Sequence, residues 1–112
     1  MELTVTPDMT ARLFGRKMHP VYGTAWMVLH VEESGRTLVD RHLGPDEDAA
    51  GYHIELTHGR PARIGERLTI TARVVSAGER ECVTEHQVLT ARGIIGRARF
   101  VQRYVRRGAF SD

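Results

Sequence analysis

TAWMVLHVEESGRTLVDRHL, residues 24 to 43, is the one stretch of the chain with sustained helical spacing. Met27, Val28 and Val31, then Leu38 and Val39, recur at intervals of three and four that line one face of an α-helix. Thr24 stands where an N-cap hydroxyl would serve, and Gly44 and Pro45 end the pattern. Gly35 falls inside it. A glycine there weakens a helix by about 1 kcal/mol relative to alanine, so it predicts either a break or a close packing contact.

On either side the period drops to two. ELTVT (2–6) alternates briefly and meets Pro7, while residues 11–23, broken by Gly15, Pro20 and Gly23, read as a loop or a short helical turn. After an exit loop, GPDEDAAG (44–51), strands are expected at 51–58, 67–75, 81–92 and 94–105, completing a meander. In RLTITARVV, Leu68, Ile70, Ala72 and Val74 share one face. A strand, one long helix and four strands describe an α+β domain, with the helix packed on an antiparallel sheet. Such a sheet leaves free edges and part of the helix uncovered. Pairing two copies edge to edge covers both, so a homodimer is expected.

The 112 residues fit a single domain, 1–112, with one hydrophobic core. A hydrophobic share of 41% with 27% charged residues excludes a disordered chain. No apolar run approaches the roughly 20 residues of a membrane helix. MELTVTPDMT lacks the basic start and apolar stretch of a signal peptide, so a cytoplasmic protein without membrane contact is expected. Cys82, the only cysteine, cannot form an internal disulfide. The net charge of +2 conceals a C-terminal crowd of Arg92, Arg97, Arg99, Arg103, Arg106 and Arg107. These could meet the phosphates of nucleic acid or of coenzyme A, or form a solvated strand face. Aromatics at 6%, without a stacking pattern, argue against nucleic acid.

Polar residues in apolar positions mark the candidate site. In GYHIELTH (51–58), Tyr52, Ile54, Leu56 and His58 fall on one strand face, and His53, Glu55 and Thr57 on the other. An imidazole thus closes an apolar row just before a Gly-Arg-Pro turn. His53 and His58 point to opposite faces and cannot share a metal ion. With no second cysteine and no His-x-x-x-His, neither metal nor other cofactor is expected. Glu32 lies four residues after Val28 and eight after Thr24, close to their line along the helix. That line leads either toward the core or, with Glu33, into a solvated face. Ser34, in EESGR, lacks the preceding glycine of a nucleophile elbow.

Taken together, VYGTAWMVLHVEESGR, RHLGPDEDAAGYHIELTHGRPARIGERLTITARVV and IIGRARFVQRYV resemble the hot-dog-fold thioesterases, and most closely the fluoroacetyl-CoA thioesterase and its relatives. The resemblance runs from about Val5 to Val105. It implies a curved antiparallel sheet of about five strands wrapped on one long helix, and hydrolysis of a small acyl-CoA thioester. It implies catalytic roles for Thr24, Glu32 and His58, a glycine near the substrate carbonyl at Gly51, and Met18 in place of a gating phenylalanine. Tyr22 and Trp26 are the further candidates for contact with the acyl group. Thr24 and His58 are the expected polar neighbours of Glu32. Two alternatives stay open on the same fold: a hydratase or dehydratase using Asp48 and His53, and a non-catalytic protein that binds acyl thioesters.

Overall fold

The computed structural model describes residues 1–111. Helix α1 spans Thr24–Val39, and a 3-10 turn, Asp40–His42, continues it to near its expected end. Gly23 is the N-cap, so Thr24 takes the first helical position instead of the cap. Gly35 causes no break. A Cβ at that position would lie 2.7 Å from Cδ2 of the buried Phe100 ring and 3.3 Å from Gln102 Nε2. The missing side chain lets the helix backbone bed directly on the sheet, and Gln102 Nε2 donates to the Gly35 carbonyl at 3.1 Å.

That sheet contains β1 (Glu2–Thr4), β4 (Glu47–His58), β5 (Arg67–Ala77), β6 (Glu81–Thr90) and β7 (Gly93–Arg106). Their order is β1-β5-β6-β7-β4, with every neighbouring pair antiparallel. Only β5 to β7 form a meander. β4 pairs with β7 at the far edge, because the chain between β4 and β5 crosses the sheet, and this corrects the expected four-strand run. β4 also begins earlier than expected, at Glu47.

Residues 11–23 are not a loop. They belong to a separate hairpin, β2 (Thr10–Leu13) and β3 (Arg16–Tyr22). Phe14 and Gly15, with φ of 55° and 73°, form a two-residue turn of the kind that matches strand twist. Pro20 is tolerated because the hairpin has solvent beside it. Its residues are mostly exposed, which is why they lack the alternation that marks a half-buried strand.

Val5, Tyr22, Met27, Leu68, Ile70, Val88 and Ile95 form the main core between α1 and the sheet. Val31, Ala98 and Phe100 form a second cluster toward β4. Leu68 and Ile70 are buried, and Ala72 and Val74 half-buried, as their shared face requires. In β4 the alternation is interrupted once. Gly51 pairs with Gln102 and His53 with Val101, leaving Tyr52 as an extra residue in a β-bulge. Tyr52, expected to face inward, is therefore 60% exposed on the outer face, where the Arg103 guanidinium lies 3.5 Å from its ring centroid. Ile54, Leu56 and His58 keep their inward direction.

The C-terminal arginines are largely accounted for on the outer face. Cross-strand register sets Glu55, Arg99, Glu85 and Arg73 in one row of alternating charge, with Arg73 and Glu85 paired at 3.3 Å. Arg92 is held by Glu66 and the Pro61 carbonyl, and Arg107 by the carbonyls of Pro45 and Glu47.

Between helix and sheet lies a buried polar knot. Ser34 Oγ donates to the Val31 carbonyl at 3.0 Å and lies 2.8 Å from His86 Nδ1, while Thr84 Oγ1 lies 2.7 Å from His86 Nε2. The protons balance if His86 is the neutral Nδ1–H tautomer, donating to Ser34 and accepting from Thr84. Burial pushes this imidazole down to about 4.

Two stability predictions follow from these contacts. Gly35→Ala should destabilise the fold by about 1–3 kcal/mol despite its better helix propensity, because the buried Phe100 ring must shift. Gly78→Ala, whose Cβ would meet nothing closer than 3.9 Å, should be near neutral by urea denaturation. The unfolded chain takes up a proton at His86 below pH 6.5 that the folded chain refuses until about 4. Stability should therefore be fully present above pH 6.5 and fall as pH drops toward 4, with His86 contributing on the order of 3 kcal/mol. Urea midpoints across that range should fall less steeply in His86→Gln, by about one proton.

Candidate active site

The N-terminus of α1 and the end of β4 meet. Thr24 Oγ1 lies 3.0 Å from His58 Nδ1, which fixes the imidazole at one nitrogen. His58 Nε2 is buried and has no hydrogen-bond partner among the described residues. Burial pushes this imidazole below its ordinary value, against an opposing pull from the Arg60 backbone, so it is neutral at pH 7. The first turn of α1 has no acidic residue and no side-chain cap. Its leading backbone N–H groups, the positive end of the helix dipole, therefore remain free beside the Thr24–His58 pair.

A pocket of about 250 Å³ opens here, lined by Ala11, His19, Val21, Tyr22, Thr24, His58, Gly59, Arg60 and Pro61. A larger hollow of about 450 Å³ lies on the outer face of the sheet, among Arg73, Glu85, Arg97 and Arg99. It contains none of the candidate site residues.

Glu32 is elsewhere. Eight residues of helix put it about 12 Å from Thr24 along the axis. Its side chain is exposed and makes no hydrogen bond to Thr24 or His58 among the described residues. It lies instead beside Gly51, where a Cβ would come 3.9 Å from Glu32 Oε2 and 3.3 Å from Phe100. The glycine leaves that carboxylate room. One protomer thus presents two half-sites, Thr24 with His58 and Glu32 with Gly51. Within one protomer Thr24 and His58 are therefore not the polar neighbours of Glu32.

The remaining candidates differ in placement. Tyr22 is 1% exposed and forms one wall of the pocket. Trp26 is half-buried against the main core. Met18 is 43% exposed on the hairpin and outside the pocket lining. The alternative pair does not form a site. Asp48 is bonded to Arg36 and to the Ala49 N–H, and His53 lies on the outer face against Glu55. Arg60, His19 and His30 were not singled out from the sequence. His30, three residues after Met27 on the apolar line of the helix, carried a readable signal of burial; the other two depend on how the hairpin meets the β4 turn.

No helix among the described residues is long and apolar enough to cross a membrane. The family model for fluoroacetyl-CoA-specific thioesterase, FlK, matches residues 5–107. A Thermus thermophilus hypothetical protein of the thioesterase superfamily is 31% identical, with a TM-score of 0.90 over 96% of this chain and 80% of that one. A point mutant of the fluoroacetyl-CoA-specific thioesterase, solved with fluoroacetate and CoA, is 23% identical, with a TM-score of 0.88 over 99% of this chain and 94% of that one. A hot-dog-like protein from Thermanaerovibrio acidaminovorans is 17% identical, with a TM-score of 0.85 over 96% and 79%. No curated protein matches. The helix, the curled five-strand sheet and the family match agree: this chain belongs to the fluoroacetyl-CoA-specific thioesterase family, thioester hydrolases of the hot-dog fold.

Proposed function

We propose that the protein hydrolyses a small acyl-CoA thioester at a site completed by two copies of the chain. The observation that carries this reading is the separation of Glu32–Gly51 from Thr24–His58 within one protomer. β4 is a twelve-residue edge strand whose outer edge pairs with nothing among the described residues, whereas the other edge, β1, has only three. A long bare edge favours self-association. Antiparallel pairing of two β4 strands about a two-fold axis brings the Gly51 end of one strand toward the His58 end of the partner's strand. Each Glu32 then faces the Thr24–His58 pair of the partner subunit, and two composite sites form.

In that arrangement the Glu32 carboxylate acts at the thioester carbonyl, as nucleophile or as base for water. Charge developing on the carbonyl oxygen is met by the free N–H groups at the start of α1. Where Glu32 attacks directly, His58, neutral and anchored by Thr24, takes the proton from the water that hydrolyses the acyl-enzyme. The proton removed from water, on Glu32 or on His58, ends on the departing coenzyme A thiolate. The products are the free acid and coenzyme A thiol. The pocket beside His58 suits a short acyl group, with Tyr22 as a wall. Arg60, which lines the pocket beside His19, rather than the arginines of the outer face, is the cationic group nearest to coenzyme A phosphates.

Thiol release from a panel of short-chain and aryl acyl-CoAs tests the reading. Glu32→Ala and His58→Ala should each reduce kcat/KM by about a thousandfold with the fold intact. Co-expression of the two variants should restore about a quarter of wild-type activity, because a mixed dimer carries one site with both groups. Loss in each variant without rescue would place the whole site in one chain. Retention in either would remove that residue from the mechanism. On the acid side kcat/KM should fall with an apparent pKa below the usual 6.5 of histidine, since protonation of His58 removes the base.

A further inference from the structure

His30 has no part in this chemistry, yet the core accommodates it at a cost. It is 6% exposed on the apolar side of α1, where a leucine would pack without a polar group to satisfy. Its Nδ1 is 2.5 Å from the hydroxyl of Tyr22, which is itself 1% exposed at the end of β3. The two rings lie within 6° of parallel with centroids 5.7 Å apart, meeting edge to edge through that hydrogen bond, and the Trp26 ring lies 5.8 Å from His30, tilted by 44°. Tyr22 continues the chain of contacts to the candidate site. Its ring meets His58 edge-on, with centroids 6.0 Å apart and planes at 65°.

The His58 imidazole is thus held in two ways. Thr24 fixes Nδ1 by a hydrogen bond, and Tyr22 packs against the ring whose Nε2 is buried and without a partner. A phenol ring packed only by dispersion can tilt or slide; one tied at its hydroxyl cannot. The tie has a fixed sense. Burial and the nearby Glu33 carboxylate keep the Tyr22 phenol protonated, so it donates. Burial keeps His30 neutral, against an opposing pull from Glu33, so its Nδ1 accepts.

We propose that His30 is a positioning residue for thioester hydrolysis: by accepting from the Tyr22 hydroxyl it locks the Tyr22 ring against His58 and sets the orientation of that imidazole. The inference rests on the catalytic reading of His58 given above. It concerns a residue that touches neither Thr24 nor His58 by any hydrogen bond and acts only through Tyr22. Around His58 the other polar and charged groups are Thr24 on α1, His19 on β3 and Arg60 after β4, with Glu33 facing the Tyr22–His30 pair.

Three substitutions separate positioning from packing. Tyr22→Phe keeps the ring and deletes the donor; His30→Leu fills the space and deletes the acceptor; His30→Asn returns an acceptor near the Nδ1 position. In Tyr22→Phe and His30→Leu, kcat should fall about tenfold with KM within about twofold, as a small loss of geometry predicts. His30→Asn should stay within about threefold of wild type. The second readout needs no catalysis. The His58 Cε1–H resonance, followed by NMR in the whole protein, should titrate closer to 6.5 in Tyr22→Phe and His30→Leu, because a loosened Tyr22 admits water to the ring. An unchanged His58 titration and unchanged kcat, with only a lower thermal midpoint, would overturn the proposal and leave a packing contact. If His58→Ala retains activity while the His58 resonance still shifts in Tyr22→Phe, the catalytic reading fails and the orienting contact stands.

Discussion

Everything in this fold depends on how closely α1 can approach β6 and β7. The contact is backbone against side chain: Gly35 leaves its carbonyl open to Gln102 and its missing Cβ to the Phe100 ring. Val31, one turn earlier, packs against the same Phe100, and Ser34, the residue before Gly35, is tied to the sheet through His86. A helix held at this distance has little freedom to slide. The position of its N-terminus relative to the end of β4 follows, and with it the 3.0 Å contact between Thr24 and His58. The polar knot around His86 adds register to the apolar packing, since its hydrogen bonds are satisfied in only one alignment of helix and sheet.

The helix, the four long strands and the inward direction of His58 were legible in the sequence because each is imposed by burial of one face, and burial leaves a period. The hairpin before the helix was not. Its residues from Leu13 to Pro20 are exposed on both sides, so nothing selects alternation, and Gly15 and Pro20 read as punctuation. The place of β4 in the sheet was hidden for a different reason. Hydrophobic pattern tells which way a side chain points and is silent about which neighbour a strand takes. Tyr52 failed for a third reason: a bulge is a local change of phase, and a bulky aromatic in the expected position looks the same whether it faces in or out.

The site divides in the same manner. Thr24, Glu32, His58 and Gly51 were picked out by family resemblance, while spacing along the helix already implied that Glu32 and Thr24 stand two turns apart. A helix cannot bend two such positions onto one carbonyl. The separation becomes useful once the sheet edge is considered, because a strand that pairs with itself in antiparallel fashion exchanges its two ends. The contributions of Tyr22 and His30 were invisible as a pair. They lie eight residues apart on different elements, and only the seating of the hairpin end against α1 brings a phenol to an imidazole.

The bulge at Tyr52 gives β4 two reading frames. Toward its start the inward positions are odd-numbered and include Gly51; beyond the bulge they are even-numbered and include Ile54, Leu56 and His58. A single extra residue thus uncouples the two halves of one strand. The glycine that makes room for the carboxylate and the histidine that closes the apolar row answer to separate phases. Residues can be exchanged around one without rotating the other, so the surroundings of Glu32 and those of His58 are free to diversify independently along the same twelve residues.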